Sequence, residues 1–199
     1  RVYPQIIEKA VSDRKHQASG QFSLFGDILK EDTVNSVVMP DIPEFDDYSM
    51  KGRTYRYVET EVLYPFGYGL TYSKVELKNL KVEEVKNNFE TVKVSIDVKN
   101  VGNYDTDEVV QCYLKDLESK YAILNYSLIG FKRINLRKNE SKTVNFELRR
   151  KEFEVVNDEG NRILDRKRFK LFAGISQPDA RSIELLGVKP LEKAIYLND

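Results

Sequence analysis

The 199 residues carry 32 Lys plus Arg against 32 Asp plus Glu, giving no formal net charge, and 41% of them are apolar. The charge balance excludes a chain recruited by its global field to nucleic acid or an anionic membrane, and the apolar share excludes wholesale disorder. No apolar run approaches the roughly 20 residues that span a bilayer, and Arg1 to Ala10 lacks the basic-then-apolar order of a signal peptide.

A cytoplasmic chain with no membrane or direct nucleic-acid partner is therefore expected. The sequence does not open on Met, which leaves an incomplete N-terminus open. Residues 1–48 hold 5 basic and 9 acidic side chains, a net of −4 balanced by +4 in the remainder, a hint of two origins.

Residues 1–19 are expected to contain a short amphipathic helix, because Ile6, Ile7, Ala10 and Val11 recur at three-to-four spacing and Ser19-Gly20 stops the pattern. Residues 20–63 read as an extended linker and strap, with Pro40, Pro43 and many acids but no sustained period. From residue 64 to 190 strand signals repeat. Val75 to Val85 begins the series. Val92, Val94, Ile96 and Val98 then alternate with Lys93, Ser95, Asp97 and Lys99, one face buried and one wet.

Glu108–Leu114, Leu128–Leu136 and Thr143–Leu148 follow as strands, and Asn157-Asp-Glu-Gly160 has the composition of a hairpin turn. Phe169–Gly174 and Ile183–Val188 complete the set, and residues 191–199 are expected to be a C-terminal tail. Seven or eight short strands at this spacing predict an all-β sandwich. Within it Ile96→Ala should be costly and Asp97→Ala nearly silent.

Chemistry-bearing residues are sparse. Cys112 is the only cysteine, which rules out an intrachain disulfide, and its apolar neighbours predict a buried thiol. His16 is the only histidine, so histidine-rich metal sites are excluded. Asp46/Asp47 and Asp105/Asp107 are read as solvated loop acids rather than a catalytic pair. No phosphate-cradling Gly-rich loop is present. No catalytic residue, metal or cofactor is expected. Asn125-Tyr-Ser127 and Asn139-Glu-Ser141 match glycosylation acceptors and are read as incidental.

Two strings from the strap carry a resemblance: Phe45-Asp-Asp-Tyr-Ser-Met-Lys-Gly-Arg-Thr-Tyr-Arg-Tyr57 and Leu63-Tyr-Pro-Phe-Gly-Tyr-Gly-Leu-Thr-Tyr72. With Val98–Gly102, Glu108–Tyr113, Leu128–Arg133 and Asn139–Val144 in order, residues 45–188 resemble the C-terminal fibronectin type III-like domain of family 3 glycoside hydrolases, the β-glucosidase family. The resemblance implies an immunoglobulin-like sandwich that accompanies catalytic domains. It places the nucleophile and the acid on those domains, so this chain is expected to be inactive alone and the catalytic domains are its expected partner. Arg53, Tyr55, Arg56, Tyr57, Tyr64, Phe66, Tyr68 and Tyr72 are the candidate docking residues, since clustered aromatics between glycines supply area to bury against another surface. The alternative is a stand-alone sandwich that binds carbohydrate or protein.

The opening segment is different. Gln21-Phe-Ser-Leu-Phe25, after a helix and before an acidic linker ending in Pro40-Asp-Ile-Pro-Glu-Phe45, resembles the clamp-binding segment of the bacterial DNA polymerase III alpha subunit. That resemblance implies that Leu24 and Phe25 enter a pocket of a sliding clamp while Gln21 fixes register. The two resemblances meet at Phe45–Tyr48. A natural fusion, a gene remnant and an assembly artefact all remain open.

Overall fold

Strict alternation builds the first sheet. The computed structural model describes residues 46–83 and 89–197, and in it β2 (Thr91–Asn100) buries Val92, Val94, Ile96 and Val98 while Lys93 and Lys99 face solvent. β2 pairs antiparallel with β1 (Val75–Val82) on one side and with β5 (Ser141–Arg149) on the other. The register puts Ile96 beside Val144 and Val94 beside Phe146, so all three strands present apolar residues to one side. An irregularity between Lys78 and Lys81 is turned by Asn79, whose φ of 54° suits a short polar side chain.

The opposing sheet has four strands in the order β4-β3-β8-β9: β3 (Thr106–Asp116), β4 (Ser127–Leu136), β8 (Arg168–Gly174) and β9 (Leu191–Tyr196). Val110, Cys112 and Leu114 of β3, with Phe169, Leu171 and Ala173 of β8, close the core from that side. Phe89, Phe153 and Phe169 form an edge-to-face chain with centroids 5.3 and 5.2 Å apart. A 3₁₀ turn (Arg150–Phe153) leads to a small hairpin of β6 (Val155–Val156) and β7 (Arg162–Ile163). Its turn is closed by Gly160 N donating to Asn157 O at 3.0 Å. The expected hairpin and the expected sandwich are both present.

Three expectations are corrected. Ile183–Val188 is not a strand: residues Ala180–Leu186 form a helix. Asp179 caps its start by accepting from Ser182 N at 2.6 Å, and Gly187 at φ 65° ends it. The C-terminal tail is likewise a strand, β9, whose register with β8 runs from Arg168↔Tyr196 to Ala173↔Leu191. Only Ile195 of β9 is buried, which left little apolar signal to find. Part of the strap is also not extended, because Thr54–Tyr57 makes one helical turn, α1; the helix Ala180–Leu186 is then α2.

Met50–Asp199 forms one unit, which includes the strap from residue 50, and Arg1–Ser49 forms another. Of the latter, residues 46–49 are described, and there Ser49 N donates to Asp47 Oδ1 at 2.8 Å. The helix expected before Ser19, the motif Gln21, Leu24 and Phe25, and Val85 lie outside the described residues. Among the described residues no helix is long and apolar enough to cross a membrane.

Candidate functional site

The strap, which in the structure runs on past residue 63 to Tyr72, is held on the outer face of the β4-β3-β8-β9 sheet by polar side chains that the core does not use. On β3 the residues between core positions, Gln111 and Tyr113, point outward, yet both are buried. Gln111 Nε2 donates to Gly67 O at 2.9 Å and to Ile175 O at 3.0 Å. Its Oε1 accepts from Tyr113 Oη at 2.6 Å. The strap comes so close here that a Cβ on Gly67 would lie 2.1 Å from Gln111 Oε1, and Gly67 has φ of 77°. Only glycine fits. Gln177 N then donates to Phe66 O at 3.0 Å, fixing the strap to the segment before α2.

Asn125 is the second anchor. Its Nδ2 donates to Tyr55 O at 3.0 Å and to Val58 O at 2.8 Å, capturing two carbonyls at the end of α1, and its own N–H donates to Arg56 O. Leu128 N donates to Tyr55 Oη at 3.1 Å. The sequon at Asn125 therefore marks a strap anchor. Nothing in the sequence pattern marked Gln111 or Tyr113 as a strap anchor, and Asn125 stood out only as a glycosylation acceptor.

The candidate docking residues divide into two groups. Tyr55 and Phe66 stack face to face, centroids 4.0 Å apart and planes 7° apart, and Tyr64 stacks on Tyr68 at 5.5 Å. The Arg56 guanidinium lies 5.8 Å from the Tyr55 centroid. Arg53, Tyr55, Tyr57 and Tyr68 are half-buried, so part of the aromatic area covers the sandwich itself. Arg56, Tyr64, Phe66 and Tyr72 face outward. Tyr72 is 93% exposed, and so are two residues that the sequence reading passed over, Leu70 at 92% and Leu63 at 81%.

Between the strap, Asn125–Tyr126 and α2 lies a cleft of about 940 Å³. Tyr55, Tyr64, Phe66 and Tyr126 supply its aromatic lining, and Glu59, Glu61, Asp179 and Glu184 its carboxylates, against one cation among the described lining residues, Arg181. Burial, then the nearby Asp179, pushes the Tyr126 phenol above its usual range.

Of the acids expected on a loop, Asp107 lies instead on β3, opposite Asn135, and both it and Asp105 are structural. Asp107 pairs with Arg133 and accepts from Asn135 Nδ2 at 2.9 Å, while Asp105 accepts from Lys138 N at 2.7 Å. Among the described residues no three His, Cys, Asp or Glu side chains gather as metal ligands would. Cys112 is fully buried, and burial pushes its thiol up to about 12.

Two antiparallel sheets facing each other over one apolar core define a β-sandwich of the immunoglobulin-like class. Residues 108–177 match the fibronectin type III-like domain family, and the sandwich is a domain of that kind. Its relatives are glycosidases. The chain is 34% identical over 139 residues to a xylan 1,4-β-xylosidase of Xylanibacter ruminicola, covering 69% of this chain and 16% of that enzyme. It is 40% identical over 108 residues to thermostable β-glucosidase B of Acetivibrio thermocellus, covering 52% and 14%. The crystal structure of a Listeria innocua β-glucosidase in complex with glucose superposes with a TM-score of 0.60 at 27% identity, covering 75% of this chain and 20% of that one. This chain thus spans a fifth or less of these relatives' length.

Proposed function

We propose that this sandwich is a non-catalytic accessory domain of a β-glucosidase-like family 3 glycoside hydrolase, docking through its strap onto the catalytic domains. The observation that carries the reading is the strap's division of labour. Its backbone is pinned by Gln111, Asn125 and Gln177, yet Leu63, Tyr64, Leu70 and Tyr72 remain turned to solvent. A rigid segment that displays large apolar groups is pre-organised to bury them against a partner. The long relatives, all named as glycosidases, supply the partner's class.

The test uses thermostable β-glucosidase B of A. thermocellus with its matching segment deleted. Purified chain should bind that enzyme, and should release no nitrophenol from aryl β-glucosides by itself. A Leu63→Ala/Leu70→Ala/Tyr72→Ala variant should lose binding without losing its fold. Turnover by this chain, abolished by changing one of its carboxylates, would overturn the proposal. The rival reading, a stand-alone carbohydrate binder, predicts heat on titration with cello-oligosaccharides. The aromatics favour docking because they sit on the strap rather than alternating along one strand.

We further propose, from the order of Gln21, Leu24 and Phe25 before an acidic linker, that the opening segment keeps a sliding-clamp motif joined to the glycosidase domain as a fusion. A peptide of residues 17–29 should bind a bacterial clamp with roughly micromolar affinity, as one short ordered segment would. It should lose binding when Leu24 and Phe25 are both Ala. Silence at hundreds of micromolar, roughly a hundredfold above that affinity, would end the idea.

A further inference from the structure

We propose that the cleft beside the strap is the seat of an arginine-bearing segment of the docking partner. This deepens the accessory-domain reading and rests on it.

Two independent features of the cleft point the same way. The first is charge. Among the described lining residues Arg181 is the one cation, and it is already engaged: Nη1 meets Glu184 Oε2 at 2.6 Å and Nε donates to Leu63 O at 3.3 Å. Glu59 has no hydrogen-bond or ion-pair partner among the described residues, Glu61 lies within electrostatic reach of Arg181 without a direct bond to it, and Asp179 gives one oxygen to Ser182 N. The lining therefore keeps a surplus of negative charge, which a cation would neutralise as the cleft is desolvated.

The second feature is the lining itself. Tyr55, Tyr64, Phe66 and Tyr126 bring rings to the same space as those carboxylates. Tyr55 and Phe66 stack on each other, Tyr64 stacks on Tyr68, and Lys115 Nζ already lies 5.2 Å from the Tyr126 centroid, a cation on a ring at the edge of the cleft. A guanidinium is flat, weakly hydrated and able to stack on a ring while its edge donates to a carboxylate. A lysine ammonium offers no plane to stack. The strap already shows the arrangement once, with the Arg56 guanidinium over Tyr55. At about 940 Å³ the cleft lies near the upper end of the roughly 300–1,000 Å³ typical of sites for compact ligands, so a short segment fits as well as a side chain. A neutral sugar would use the rings but leave the surplus charge uncompensated.

The experiment titrates the isotopically labelled full chain with acetyl-Gly-Arg-Leu-Arg-Gly-amide and with its citrulline counterpart, which keeps the shape and removes the charge. The arginine peptide should shift amides at 59–66, 125–126 and 179–184 saturably. Affinity should fall about tenfold or more for the citrulline peptide and for Glu59→Gln/Glu61→Gln, about 1.4 kcal/mol or more. Equal binding of both peptides, no shift at about 10 mM, or cellopentaose moving these resonances where the peptide does not, would each overturn it. The same double variant, measured against the truncated β-glucosidase, separates the two readings. Unchanged docking with no peptide binding removes the seat and leaves the accessory role. Peptide binding by the unaltered chain with no docking of it to the enzyme removes the accessory role, and with it the partner named here, and leaves only a cleft that takes arginine.

Discussion

Tyr113 donates to Gln111 Oε1 at 2.6 Å, and through that bond a tyrosine and a glutamine two residues apart on β3 become one latch for the strap. The bond orients the amide so that both hydrogens on Nε2 reach carbonyls, Gly67 O and Ile175 O. Gln111→Leu deprives Gly67 O and Ile175 O of this donor and leaves the Tyr113 hydroxyl only Phe66 O at 3.4 Å, so it should cost about 1–3 kcal/mol, with Tyr113→Phe nearer 1 kcal/mol. Urea denaturation gives the energies. Faster trypsin cleavage after Arg53 and Arg56 in the Leu variant would show that the strap is what loosens, and equal cleavage rates would contradict the latch.

The core makes a sharper demand. Ile96 is fully buried between Val144 and the facing sheet, so Ile96→Ala should cost about 2–5 kcal/mol. Its neighbour Asp97 is not the silent surface residue expected from alternation. It accepts from Asn79 Nδ2 at 2.8 Å and from Thr143 Oγ1 at 2.7 Å, tying β1 and β5 to β2. Those bonds, Asn79 first, hold its carboxyl below the ordinary 3.8. A depressed folded-state pKa gives stability that is present above the ordinary value and is lost as pH falls through the folded one. The melting temperatures of wild type and Asp97→Ala should therefore differ at neutral pH and converge below about 3.8.

Glu108 has the opposite sign. One carboxylate oxygen accepts from Val109 N at 2.9 Å, the other has no partner, and burial raises its pKa above the ordinary 4.5. Ionising it in the fold is unfavourable, so its stability contribution is present below the ordinary value and is lost as pH rises through the folded one. Glu108→Gln should gain melting temperature relative to wild type on going from about pH 4, just below the ordinary 4.5, to neutral. A gap independent of pH would show that Glu108 ionises freely.

How much of this could be read beforehand differs by element. Alternation in Val92–Val98 is a two-residue period with one face buried, and it located β2 and its buried face unaided, though not its register with β1 and β5. α2 left a legible signal that went unused: Asp179 before the segment and Gly187 after it are a cap and a stop, although Ile183, Leu185 and Leu186 read as strand formers. The strap's aromatics were visible as a cluster, but their partition into anchored and displayed groups was not. That partition depends on Gln111, Asn125 and Gln177, brought to the strap only by the tertiary fold.

Cys112 offers a probe of global opening. With its side chain in the core and its thiol pushed up to about 12, it should ignore an aromatic disulfide reagent in the native state. The labelling rate in mild urea should follow global unfolding measured by circular dichroism. Labelling faster than unfolding would reveal a local opening of β3.

The strap's fastenings also impose an order of assembly. Residues 55–67 precede their partners in the sandwich: Gln111, Asn125, Leu128, Ser176, Gln177 and Arg181 come later, the last of them 118 positions beyond Leu63, whose carbonyl it reaches. During synthesis the strap leaves the ribosome long before its final hydrogen-bond donor exists, so it must stay unfastened until the rest of the sandwich has been made. Its Tyr and Leu side chains are then the surface of a nascent protein while the residues from the strap to Arg181 are made, at about 5–20 residues per second. A chain stopped before residue 175 should expose the strap permanently, and such stalled intermediates should be the ones a chaperone holds.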